Sequence, residues 1–151
     1  MWGLEVKLLD KDKTYEILLK LLEIEQNRIN SLDSTEFTIK GLSVTLFSAF
    51  IGFAFEKKSP VFLYVGVIAI IFSSIIDFIY RKVQLLHVEK ASNIQKYLKT
   101  EYLEKVESSK SLKIAGEYKS NFINDYSPLL LLYFPMIVVL IVLTKFIPST
   151  P

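Results

Sequence analysis

The stretch that most constrains this chain is Pro60–Tyr80, PVFLYVGVIAIIFSSIIDFIY, which holds one charged residue, Asp77, in 21 positions. At about 1.5 Å rise per residue a helix of that length reaches about 30 Å, the thickness of a bilayer's hydrocarbon core. A soluble domain rarely buries a helix that is apolar on every side. The sequence therefore predicts an integral membrane protein, and its work is expected in or on a membrane.

Composition sharpens that reading. The chain is 51% hydrophobic with a mean hydropathy of +0.36, yet 23% of it is charged, so charge and apolar residues must be segregated. Three windows are nearly free of charge: Gly41–Phe55, Pro60–Tyr80 and Pro128–Thr144. A net charge of only +2 argues against nucleic acid as a partner, since phosphate binding needs concentrated basic surface. There is no cysteine and a single histidine, His87, which removes thiol chemistry, Cys-based zinc sites and His-rich metal sites. No cofactor is expected. Residues 1–36 alternate charged and apolar positions and do not read as a signal peptide.

Along the chain, residues 12–32 read as an amphipathic helix with Asp12 as N-cap. Leu18, Leu22, Ile29 and Leu32 fall on one face, and Glu16, Lys20, Glu23 and Asn27 on the other. Asp33-Ser-Thr-Glu36 has the spacing of a capping box, which predicts that a new helix starts there and runs into the first apolar window. Lys40 can snorkel toward the head groups. Within that window Gly41, Thr45, Ser48 and Gly52 form a stripe of small residues, a helix-packing face within one chain or between chains. Glu56–Pro60 is a tight hairpin loop. The second window carries a further small and polar line, Gly66, Ala69, Ser73 and Asp77, with Arg81 one turn beyond. Two readings stand for Asp77: a structural i,i+4 pair with Arg81, or a pore-lining or gating group together with Ser73 and Arg81.

Nothing stops the helix at Tyr80. Helix formers continue through residue 107, with Ala91, Ile94, Leu98, Tyr102 and Val106 in one stripe, and Ser108-Ser-Lys-Ser ends it. Residues 108–126, with Gly116, read as a connector. Ser127-Pro128 then opens a third span as N-cap and N1, and Pro135 is expected to kink it. The organisation expected is an N-terminal amphipathic cytoplasmic helix (1–33), a first span (34–56), a second span (60–80), a cytoplasmic helix and connector (81–126) and a third span (127–147). The fold class is thus an all-α integral membrane protein of three transmembrane helices, the second continuing into a long cytoplasmic helix. Lys and Arg number 15 on the side of residues 1–40 and 81–126 and 3 on the other, so the positive-inside rule puts the N-terminus in the cytoplasm and the C-terminus outside.

Enzyme signatures are missing: no phosphate-binding glycine loop, no dinucleotide fingerprint, no histidine–carboxylate–nucleophile set. Arg81 and His87 enclose five residues, the Arg-spacer-His spacing of HEPN ribonucleases, but Lys82 stands where a small polar residue is usual. The chain is expected not to be an enzyme. The order of its parts resembles the SLATT-type membrane effectors of bacterial antiviral and conflict systems. The resemblance covers roughly residues 15–100 and rests on the Lys40-Gly41-x-x-Val44-Thr45-Leu46 entry to the first span and the Asp77-Phe-Ile-Tyr80 exit of the second. It implies a homo-oligomer that perturbs the inner membrane when a soluble sensor or activator signals infection. No sensor, nucleotide-binding or protease domain is visible in this chain. Two classes of function stay open: a regulated effector that permeabilises or depolarises the membrane, and an anchor or adaptor whose cytoplasmic helices recruit a soluble partner.

Overall fold

A computed structural model describes residues 2–103 and 121–147, with side chains for 11–102 and 121–147. Every regular element among the described residues is helical: α1 (Trp2–Glu56), α2 (Val61–Leu98), which runs on into a π-helical turn at Lys99–Leu103, and α3 (Phe122–Leu143). All three are long and apolar enough to cross a membrane. The chain divides into two compact units. One combines residues 1–31 with 84–119, the other residues 32–83 with 120–151.

Three expected helix starts are corrected. Asp12 is inside α1 and caps nothing, and α1 passes through Asp33–Glu36 without a break. No proline and no glycine lies between Leu4 and Lys40 to interrupt it. Glu36 does not reach back to a capped amide; its carboxylate accepts from Lys40 Nζ at 2.9 Å, one turn ahead. The i,i+4 pair has displaced the capping box. The third helix starts at Phe122 rather than at Pro128. Asn121, in extended conformation, is its N-cap: Asn121 Oδ1 accepts from the Ile123 amide at 3.2 Å, and Asp125 Oδ2 accepts from the Asn121 amide at 2.9 Å. With that cap made, both Pro128 and Pro135 fall inside a helix assigned without interruption. The expected helix end at 108–111 and the connector around Gly116 lie outside the described residues.

In the first unit the expected stripes face inward. Leu18, Leu22 and Ile29 are half-buried, as is Leu32, the first residue of the other unit, while Glu16, Lys20, Glu23 and Asn27 are exposed. On α2, Gln84, Ala91 and Leu98 are buried, with His87, Ile94 and Tyr102 partly so. Contacts run antiparallel: Glu25 bonds His87, whereas the Tyr102 ring packs tilted against Tyr15 with centroids 5.0 Å apart and its hydroxyl donates to the Lys11 carbonyl at 3.2 Å. Apolar positions at alternating three- and four-residue steps make this a coiled-coil-like pair.

In the second unit, α1 and α2 are joined by a hairpin closed by a Schellman motif. Ser59 N–H donates to the Ala54 carbonyl and Lys58 N–H to that of Phe55, with Lys58 at φ 49°. The core runs through Ala54, Leu63, Ile70, Leu129, Tyr133, Met136 and Leu140. Gly66 is a point of close helix approach, since a Cβ there would sit 3.0 Å from Phe50 Cβ and 3.4 Å from Leu140 Cδ1. Around this core the usual distribution is inverted. Large apolar side chains such as Phe37, Phe72, Leu131 and Phe134 point outward, while Glu36, Ser43 and Asp77 are buried. Water penalises such a surface and lipid does not.

Candidate functional site

The charged residue inside the second apolar window is the natural place to look. Asp77 follows Leu63, Gly66 and Ile70 at helical spacing on the buried side of α2, and its side chain is 0% exposed. The two other helices bring polar groups to it. From α3, Tyr133 OH donates to Asp77 Oδ2 at 3.1 Å. From α1, Lys40 Nζ stands 3.8 Å from the same oxygen and 2.9 Å from Glu36 Oε2. Glu36 and Lys40 are one turn apart on α1, so a single ammonium serves both carboxylates. Ser43, one turn further at 0% exposed, donates its hydroxyl to the Ile39 carbonyl and lies 3.5 Å from Tyr133 OH.

One oxygen of each carboxylate is left over. Glu36 Oε1 and Asp77 Oδ1 are buried and have no hydrogen-bond partner among the described residues. A buried carboxylate oxygen without a donor loses its hydration for nothing in return, which singles out this cluster from ordinary structural ion pairs.

Arg81, the expected i,i+4 partner of Asp77, is half-buried and directs its Nε to the Asp125 carbonyl at 3.1 Å. Lys40 and Tyr133 meet the Asp77 carboxylate from the other two helices, and the Arg81 charge acts on it as well. Arg81 is long enough to reach across to the first turn of α3 and donate there to a backbone carbonyl. Ser73 is half-buried on the Asp77 side of α2. Of the residues expected to pack helices, Gly66 meets Phe50 and Leu140 inside the chain. At Gly41 and Gly52 an added Cβ would find nothing within 4 Å, and Thr45 and Ser48 are exposed. The two hydroxyls donate to the carbonyls one turn back, Gly41 and Val44, at 2.9 and 3.0 Å. Among the described residues that stripe is therefore unused, and its hydroxyls are already satisfied.

Sequence reasoning passed over Glu36, Lys40, Ser43 and Tyr133. A signal was present for the first two, since opposite charges at i,i+4 leading into an apolar window form a pair that can be carried inward. Tyr133, in an otherwise apolar run, carried another: a tyrosine hydroxyl buried among apolar groups needs a partner.

Between α2 and α3 an open groove of about 380 Å³ is lined by Phe78, Tyr126, Leu130, Phe134 and neighbouring apolar groups. It touches Tyr133 but offers almost no polar surface, so it is a place for hydrocarbon and not for an ion.

In the other unit, buried Glu25 accepts a hydrogen bond from His87 and lies 3.6 Å from Arg28. The bond to His87 holds the Glu25 carboxyl below its ordinary 4.5, against the opposing effect of burial and with help from the charges of His87, Arg28 and Lys90. His87 is thus a packing residue of the helix pair. Among the described residues no group of three or more His, Asp or Glu side chains is placed to hold a metal ion.

Comparison with known proteins adds no relative: no family model, no curated protein and no solved structure matches the chain.

Proposed function

We propose that this protein is an oligomeric effector of the bacterial inner membrane that permeabilises or depolarises it on activation, in the service of antiviral defence. In this reading the N-terminus and the helix pair of residues 11–31 and 84–102 are cytoplasmic, and the C-terminus is outside. The observation that carries it is the Glu36–Lys40–Asp77–Tyr133 cluster, set among apolar helices with two carboxylate oxygens unmatched. Ionisable groups at membrane depth are costly and mark ion or proton pathways.

Assembly is supported by the outward stripe Gly41/Thr45/Ser48/Gly52. Small residues with internally satisfied hydroxyls let a second helix approach closely, where dispersion replaces the missing hydrophobic drive. Gly52→Leu should weaken the oligomer without disturbing the fold of one chain, because nothing stands within 4 Å of that position.

The direct test is expression in bacteria with a voltage-sensitive dye, with and without the activating partner. Wild-type protein should depolarise the membrane, and Asp77→Asn should change that response while inserting normally. A reporter active only in the cytoplasm, fused at Thr150, should be silent. The adaptor reading has its own support: Ile17, Leu21 and Ile24 form an exposed apolar line on the helix pair, suited to a soluble partner. A wild type that never alters membrane potential or growth under any activating condition would replace the effector by that adaptor.

A further inference from the structure

The donors of the polar cluster can be counted one by one. Tyr133 gives its one hydroxyl proton to Asp77 Oδ2, and Ser43 gives its own to the Ile39 carbonyl. The Lys40 ammonium faces Glu36 Oε2 and Asp77 Oδ2. No donor among the described residues meets Glu36 Oε1 or Asp77 Oδ1, on side chains that are 5% and 0% exposed.

The charges do not balance either. From α1 come Glu36 and Lys40, from α2 Asp77 and Arg81, and from α3 Asp125 beside the Tyr133 hydroxyl. Asp125 is held at the N-terminus of α3 by the Asn121 amide, and Arg81 donates to its backbone carbonyl. Three carboxylates, Glu36, Asp77 and Asp125, thus stand against two cations, Lys40 and Arg81, leaving one negative charge in excess in an apolar interior. Such a charge is costly to leave uncompensated, which favours uptake of a proton.

We propose that Glu36 and Asp77 together hold one exchangeable proton, carried on Glu36 Oε1 or Asp77 Oδ1. Uptake forms one O–H bond and cancels the excess charge; release returns the proton to water past Lys40, the most exposed member of the cluster at 29%. An alkali or divalent cation fits less well. It needs about six oxygen ligands, and the Lys40 ammonium already occupies the space between the two carboxylates. The site rests on the membrane reading above and specifies it: what the cluster exchanges is H⁺.

Infrared difference spectroscopy of the full chain in lipid nanodiscs, between mildly acidic and mildly alkaline pH, reads the C=O stretch that a protonated carboxyl has and a carboxylate lacks. Wild type should show this band appearing as pH falls, and carboxyl-¹³C labelling of aspartate and glutamate should shift it. Glu36→Gln and Asp77→Asn should each abolish it, since the remaining carboxylate is then neutralised by Lys40. Glu56→Gln, at the exposed end of α1, should leave it intact. A band that survives in Glu36→Gln would assign the proton to Asp77 alone and overturn the shared site. Loss of the band on adding sodium or potassium at constant pH would make the occupant a metal cation, also overturning it. If neither variant folds, the labelled wild type still decides, because absence of the band at every pH refutes the proposal. The measurement needs no ion flux. A titrating band without depolarisation in cells would remove the effector and keep the proton site, whereas depolarisation without the band would do the reverse.

Discussion

Two glycines in the apolar helices look alike in sequence and stand in opposite surroundings, which makes a matched pair of alanine substitutions informative. A Cβ at Gly66 would lie 3.0 Å from Phe50 Cβ, 3.3 Å from Phe50 Cγ and 3.4 Å from Leu140 Cδ1, whereas at Gly52 nothing is within 4 Å. Carbon atoms pack best at about 3.5–4.0 Å, so the new methyl at position 66 must gain about 0.5 Å. Phe50 Cβ is fixed to the α1 backbone and cannot turn aside as a side-chain tip would; relief requires the helices to part. Overpacking of this kind costs about 1–3 kcal/mol. Both substitutions share the gain in helix propensity of about 1 kcal/mol over glycine, and that gain cancels in their difference. Gly52→Ala should therefore exceed Gly66→Ala in stability by about 1–3 kcal/mol, the packing cost itself. Reversible unfolding in mixed micelles, followed by circular dichroism as denaturing detergent is titrated in, measures both. Equal stabilities for the two variants would refute the close approach at Gly66.

Other consequences can be checked in the same assay. Lys58→Gly should stabilise the hairpin by about 1 kcal/mol, because Lys58 occupies a left-handed conformation that costs an L-residue roughly that much. Tyr133→Phe should destabilise by about 1–3 kcal/mol, since it removes the donor to buried Asp77 Oδ2 and adds no compensating contact. For the helix pair, the Glu25 carboxyl is held below its ordinary 4.5, so its contribution is present above that value and is lost as pH falls through the lowered one. Glu25→Gln should flatten the acid limb of the thermal midpoint measured against pH, and an unchanged limb would sink the assignment.

Much of the architecture was decided by the chain's own pattern. Three charge-poor windows of sufficient length force three apolar helices, because backbone groups without water partners must be satisfied within their own segment. The stripes Leu18/Leu22/Ile29/Leu32 and Ala91/Ile94/Leu98/Tyr102 were legible for a related reason: a helix repeats its faces every three or four residues, so its buried side shows in one dimension. Local signals were less secure at helix starts. The capping-box spacing at Asp33–Glu36 competes with an i,i+4 pair that keeps the helix going, and the helix continued.

The site was decided by tertiary structure. Asp77 was visible as a charge in an apolar window, and from sequence its nearest opposite charge is Arg81, one turn away. The fold sends Arg81 to α3 and brings Lys40 from α1 and Tyr133 from 56 residues along the chain. Glu25 and His87 meet across 62 residues in the same way. Helical periodicity says which face a residue occupies, but the register of one helix against another depends on how whole faces interlock. At Gly66 that register is set by Phe50 and Leu140 fitting where no side chain stands, and the same register lines Ser43, Asp77 and Tyr133 up with one another.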